Sequence, residues 1–501
     1  MRTTTLRALS LGAGLALLLS GPAAAQTPTF TKYVALGDSY GAGYSADCLV
    51  QRNQQFSYPA ILARQIGIAD FQQPTVSDPG IPTCNGLKSL VPSVTFGPIS
   101  TKTGTPTNLT LARPYDNLSV PGFKIADVSD TATDTTGRTL APVVLRTLGP
   151  ALNQALSLNP TFITLGIIGN DILPAAGAAL FLDGVTVTPL ATYTTKYNAV
   201  AAALKATGRT GVFIGTPDIR LLPLLTTIKP VVTDATGTPV LVGGLTIPVL
   251  GPGNAANPCP AGQTACPLPA GTLVTLGANA PQAALGGKSL LALGFGIPCA
   301  VAPTLPQCDK PLPVGSFTPP ATVNIGVVVY PDVVAQLDKR VQDYNLVIKA
   351  AAEANGFKYW DAYALSQDLI QNGRTFGGIH ISNAFVTGGM FAYGNAVHMS
   401  NIGYSILADE LIQFINSAYG VSIERPDMSA ALLTPDVPAA GTTGIGASVD
   451  TSLFFTDQSW RALFDEFPLQ DASMKLAFPA PTDETPGRAP VLLPGWRSPR
   501  D

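Results

Sequence analysis

Four short stretches of the chain carry residue types that could do chemistry together. The first is Gly37-Asp38-Ser39-Tyr40-Gly41-Ala42-Gly43, which sets a serine among glycines directly after the apolar run Tyr33 to Leu36. A serine on a Gly-flanked turn at a strand end is exposed, and its small neighbours let a substrate carbonyl approach closely. Taken alone, a Gly-Asp-Ser turn is ordinary loop chemistry. A phosphate cradle is the other use of a Gly-rich run, but no Gly-Lys-Ser/Thr ending follows and the spacing is not that of a dinucleotide-binding loop.

A serine nucleophile needs a base, and the chain has only 2 His. His398 lies in Asn395-Ala396-Val397-His398-Met399-Ser400, ahead of a stretch whose apolar positions Leu407, Leu411, Phe414 and Ile415 predict an amphipathic helix. A base on the loop before a helix can be pinned while its ring still reaches the serine. His380, in Gly377-Gly378-Ile379-His380-Ile381, has no such helix behind it and reads as a surface or hydrogen-bonded imidazole. Two further loops offer donors. Gly122 ends Asn117-Leu118-Ser119-Val120-Pro121-Gly122, and Asn170 follows the apolar run Thr161 to Ile168, at a strand's carboxyl end, where open α/β sheets place their ligands. With the Ser39 N–H they make three donors for a tetrahedral oxyanion.

These residues need a frame, and from Phe30 to about Gly420 the chain alternates short β-branched runs with amphipathic stretches, the pattern of an α/β sheet. Strands are predicted at Tyr33 to Leu36, Thr161 to Ile168, Gly211 to Gly215 and Phe357 to Asp361. Helices are predicted at Tyr58 to Ile66, Val143 to Ser157, Tyr193 to Thr207 and Asp332 to Asn355. Residues 229–322 are rich in Pro, Gly and Val with no sustained helical period, so they read as an insertion of hairpins and loops over the active face. Their apolar character suggests a hydrophobic acyl site. The stretch 426–501 reads as a Pro- and Ala-rich tail, with Trp460, Leu463, Phe464 and Phe467 marking a short helix near 456–467 that docks on its own domain.

Composition removes several function classes. Among 501 residues the formal net charge is only −3, which lacks the basic excess that nucleic acid requires. Neither His sits near a Cys cluster or at metal-ligand spacing, which argues against a metal centre. The N-terminus reads as a cleaved signal peptide: Arg2 and Arg7, the apolar run Ala8 to Leu19, then small residues up to an expected cut after Ala25. That run is shorter than the roughly 20 apolar residues of a transmembrane span, and cleavage takes the formal charge to −5. Localisation outside the cytoplasm is the expectation. Six Cys fit an oxidising compartment, and sequence proximity favours Cys48 with Cys84, Cys259 with Cys266, and Cys299 with Cys308.

Ser39 in its Gly-Asp-Ser block, Gly122, Asn170 in Gly-Asn-Asp and His398 occur in the order found in the SGNH (GDSL-type) hydrolases, a family of esterases and lipases that the stretch from Phe30 to Gly420 resembles. Supporting stretches are Phe56-Ser57-Tyr58-Pro59, Thr216-Pro217-Asp218 with Pro223, and Gly388-Gly389-Met390-Phe391. The resemblance implies a flavodoxin-like three-layer α/β/α fold with a mostly parallel sheet, acyl transfer through a serine ester, and no metal or other cofactor. One position departs from the pattern: the family's Asp three residues before the His is Asn395 here. An amide can orient imidazole but brings no negative charge, and in serine proteases Asp to Asn costs about 10⁴ in turnover. Three readings follow: a Ser39/His398 dyad oriented by Asn395 or a backbone carbonyl, another carboxylate such as Asp361 brought in by the fold, or lost activity. The first is preferred. The expected function is therefore hydrolysis of small-molecule or lipid carboxylic esters, the alternatives being an attenuated ligand-binding protein or a carbohydrate acetylesterase.

Overall fold

A computed structural model describes residues 27–89, 95–130, 140–206, 208–233, 238–280, 285, 287–384, 389–392, 394, 396–434, 464, 469–471 and 473–478. The expected signal peptide and most of the expected tail helix lie outside them, as does Asn395.

The core is a parallel sheet in the order β1 (Tyr33–Gly37), β2 (Phe162–Gly166), β3 (Thr210–Ile214) and β4 (Lys358–Trp360). The register runs Tyr33↔Phe162, Phe162↔Thr210 and Lys358↔Val212. Beyond β1, the segment 116–120 runs alongside, with Ala35 N donating to Asp116 O at 2.8 Å, Leu118 N to Ala35 O at 2.8 Å and Val120 N to Gly37 O at 3.0 Å. The chain thus leaves β1 first to one side and later to the other. That reversal makes the carboxyl end of β1 a topological switch point, the crevice where open parallel sheets bind ligands.

β1, β2 and β3 are buried at every position, as strands covered on both faces must be. Successive side chains point to opposite faces. Phe213 meets Tyr197 of α5 (Leu190–Leu204), ring centroids 5.9 Å apart, whereas Ile214 shares a cavity wall with Tyr58 of α2 (Tyr58–Gln65). α5 packs on α6 (Pro331–Ala354), and α2 packs on α8 (Asn401–Tyr419). Spacing explains the fit of α6: Leu337, Val341, Tyr344, Ile348 and Ala352 lie on one stripe and are buried, and Tyr344 stacks on Tyr193 at 3.8 Å.

The predicted strands and most predicted helices are present within a residue or three of their expected ends. Val143 to Ser157 is different: it forms two helices, α3 (Ala141–Leu145) and α4 (Ala151–Ser157). Arg146 and Gly149 take φ of 57° and 90°, and Pro150 has no N–H to continue a helix. The remaining helices that matter to the site are α1 (Ser39–Ala42) and α7 (Ala362–Asn372).

Within 229–322 the described residues form short hairpins, such as Leu241–Val242 with Leu245–Thr246 and Leu250–Pro252 with Ala265–Pro267, and only short helical turns. All three expected disulfides are present: Cys48–Cys84, Cys259–Cys266 and Cys299–Cys308. They fit an extracytoplasmic, oxidising compartment. Among the described residues no helix is long and apolar enough to cross a membrane. The described part of the tail adds a strand, Lys475–Ala477, parallel to Thr322–Asn324 of the insertion, and buries Phe464 and Leu469.

Candidate active site

Ser39 opens α1 at the carboxyl end of β1 and is buried. The turn is held by Asp38, whose Oδ1 accepts from Tyr40 N at 3.1 Å as the helix cap. Its Oδ2 accepts from Ile168 N, just past β2, at 2.7 Å. One carboxylate therefore fixes the serine turn to the strand that carries Asn170. A carboxylate accepting backbone N–H groups makes hydrogen bonds about twice as strong as neutral ones. Gly37 and Gly41 are required by crowding: a Cβ on Gly37 would lie 2.7 Å from Ser119 Oγ, and one on Gly41 would collide with the same atom.

Asn170 is buried, and its Nδ2 donates to Phe123 O at 2.8 Å. This bond joins it to the loop of Gly122, which is buried with φ 83°, a backbone region that glycine enters without strain. Asp171 secures the same corner. Its Oδ2 accepts from Ile125 N at 3.0 Å and its Oδ1 from Thr188 Oγ1 at 2.6 Å. The side-chain amide of Gln470, from the tail, lies 2.8 Å from Thr188 Oγ1.

His398 is buried on the loop that leads into α8, which Ser400 caps by accepting from Gly403 N at 3.2 Å. Its ring stacks edge-on against Tyr44, centroids 4.9 Å apart, and lies 5.8 Å from the Tyr40 ring. Two tyrosine hydroxyls tie residues 397–404 to residues 40–44. Tyr40 Oη donates to Val397 O at 2.5 Å, and Tyr404 Oη donates to Tyr44 O at 2.6 Å. The residue next to the expected nucleophile thus grips the residue next to the expected base.

Ser39, Asn170 and Val397 line one cavity of about 270 Å³. A second, partly open cavity, about 680 Å³ when its opening to solvent is included, shares Tyr40, Ile168, Pro217 and Leu222 with it. Tyr58 lines the larger one; burial, and then the charge of Asp38, push its phenol well above its ordinary range. No described residue of 229–322 lines either of these two cavities. The apolar side chains of the larger cavity come chiefly from α7, from the segment before α8 (Met390, Phe391 and Met399) and from residues that follow β2 and β3.

Asp361 is exposed and caps α7, accepting from Ala364 N at 3.1 Å, so the fold employs that carboxylate elsewhere. A buried carboxylate does reach the base's loop from another direction. Asp47, held by Asn85 Nδ2 at 2.7 Å, abuts Gly394, where any Cβ would collide with it. His380 is exposed on the short hairpin Arg374–Phe376 with Ile379–Ile381, as the sequence suggests, with Thr375 Oγ1 3.2 Å from its Nδ1. Sequence reasoning gave no role to Asp38, Tyr40, Asp171 or Tyr404. Asp38 had a readable signal, an acidic residue just before a helix start. The tyrosine contacts span 357 and 360 residues and leave no local trace.

Among the described residues no group of three His, Cys, Asp or Glu is placed to hold a metal ion. No protein-family model and no curated protein sequence matches this chain.

Proposed function

We propose that the chain is a secreted serine ester hydrolase of the SGNH (GDSL) type, with a flavodoxin-like three-layer α/β/α domain and a signal peptide removed after Ala25. Ser39 Oγ attacks the ester carbonyl while His398 takes its proton. The N–H groups of Ser39 and Gly122 and the Asn170 amide hold the oxyanion. Collapse releases the alcohol, which takes its proton from His398, and water activated by the same imidazole then frees the acid and regenerates Ser39.

The observation that carries this reading is the convergence of Ser39, Asn170 and Val397 on one cavity at the sheet's switch point. The Tyr40 to Val397 bond supports it by coupling the two reacting loops. A second reading, an attenuated ligand-binding protein, draws on Asn395, which brings no charge to the imidazole. A fluorophosphonate probe separates the two. Covalent labelling that disappears in Ser39→Ala is the expected result, together with loss of ester turnover; a wild-type protein that takes no label would sink the hydrolase reading.

A further inference from the structure

We propose that the hairpin Leu241–Val242 with Leu245–Thr246, in the insertion, is a surface anchor that dips its tip into the boundary between headgroups and acyl chains of an uncharged lipid bilayer. The inference goes beyond ester hydrolysis and does not depend on it, since no residue of the hairpin lines the cavities at Ser39. Shape is the first argument. Leu241 pairs with Thr246 and Val242 with Leu245 across Gly243-Gly244, whose φ of 59° and 82° make a tight two-residue turn. Paired residues share a face, and successive residues take opposite faces. Leu241 is 58% exposed on one face, and Val242 and Leu245 are 60% and 75% exposed on the other, so neither face lies against the molecule. The root is fixed instead. Val240 and Ile247 pack on the core, Val240 N donates to Val232 O at 2.9 Å, and Val232 N donates to Ile247 O at 2.8 Å.

What covers such a tip follows from its size, its two open faces and its charge. A specific protein interface takes about 800 Å² from each partner, more than the tip 241–246 supplies, and it covers one face. A second copy of this chain meets the same limit. A lipid boundary surrounds both faces at once. Large apolar side chains scattered singly need no explanation, but Leu241, Val242 and Leu245 stand together at one tip. Residues 235–287 contain no Asp, Glu, Lys, Arg or His, although 12% of the chain is charged. The tip therefore brings no basic side chain to attract anionic headgroups and no charge to desolvate. Reach agrees with this. Two residues of strand and the turn extend roughly 10 Å at about 3.4 Å per residue, and interfacial segments lie about 5–10 Å deep. At that depth the turn's N–H and C=O groups still meet water and headgroups, which the hydrocarbon centre denies them.

The test is flotation with vesicles of ether-linked phosphatidylcholine, a neutral lipid with no ester to cleave, on the wild type, the double variant Leu241→Ser/Leu245→Ser and Leu245→Trp. The protein is the secreted chain from Gln26, so that the apolar run Ala8 to Leu19 does not itself bind lipid. Circular dichroism confirms that each variant folds, and turnover of a soluble short-chain ester should be the same in all three. We expect the wild type to float with the vesicles at low and high salt alike, because no ion pair holds it. The double variant should bind about a hundredfold more weakly, each leucine's burial being worth about tenfold. Leu245→Trp should gain a blue-shifted emission that brominated acyl chains quench, beyond any change in the wild type. A wild type that stays unbound, a double variant that floats as well, or a tip Trp that brominated chains leave unquenched overturns the anchor. So does binding that needs anionic lipid and fades in salt, or a lipid-free dimer in analytical ultracentrifugation that the double variant abolishes. A chain that floats through this tip but cleaves no ester leaves the anchor standing while the hydrolase reading falls, and a chain that cleaves but does not float gives the reverse.

Discussion

Asn170 Nδ2 carries two hydrogens, and one of them is committed to Phe123 O at 2.8 Å. In the proposed mechanism the second hydrogen serves an oxyanion formed at Ser39, in the cavity both residues line. The amide is buried, where a donor to developing charge is worth far more than in water. Asn170→Ala should therefore lower kcat by about 10²–10³-fold with little change in KM, measured on a short-chain ester; a loss confined to KM would remove Asn170 from the oxyanion site. At this scale the sequence was legible where residue type alone limits the chemistry: a serine among glycines, one well-placed His, an Asn at a strand end. It misdirected attention to Asp361, because the direction in which a carboxylate points is set by the helix it caps.

Two segments carry Ser39 and His398, and tyrosine hydroxyls help to hold them together. Tyr40 Oη of α1 donates to Val397 O in the loop before α8, and Tyr404 Oη, inside α8, donates to Tyr44 O just past α1. Both tyrosines are buried, so removing either hydroxyl leaves a carbonyl short of a donor. Tyr40→Phe and Tyr404→Phe should each cost about 1 kcal/mol of stability. Turnover should fall in each while ester binding is largely kept, and the double variant should depart from additivity because both bonds hold segment 40–44 against segment 397–404. Additive stability changes with unaltered kcat would show that the bonds are only structural. Element types were readable from period and caps. The break within 143–157 was readable in the breaker pair Gly149-Pro150, which the helix formers around it outweighed, and the positive φ at Arg146 and Gly149 shows the turn.

Buried tyrosines mark the molecule as a whole. Tyr33, Tyr193 and Tyr197 have phenols raised well above their ordinary value, mainly by burial, and burial lifts Tyr419 to about 12. A phenol whose folded pKa exceeds the unfolded value of 10 stabilises the fold fully below pH 10 and loses that contribution as pH rises toward 12. Alkaline titration should therefore show tyrosinate absorbance from these groups appearing together with loss of circular dichroism above pH 10. Smooth ionisation near pH 10 with the fold intact would contradict their burial.

The same scale shows how distant parts of the chain meet at the site. Gln470 reaches Thr188, which binds Asp171, next to Asn170. The sequence by itself determined the α/β alternation, the short-range cysteine pairs and the residue types able to carry acyl transfer, because periodicity, spacing and side-chain chemistry are local properties. Tertiary structure alone decided that Ser39 and Asn170 share a cavity, that Tyr40 binds the loop of His398, and that Leu365, Leu369 and Ile370 of α7 line the neighbouring apolar cavity. Those outcomes depend on strand order and on contacts across hundreds of residues. Parallel pairing permits them, and no short stretch of sequence records them.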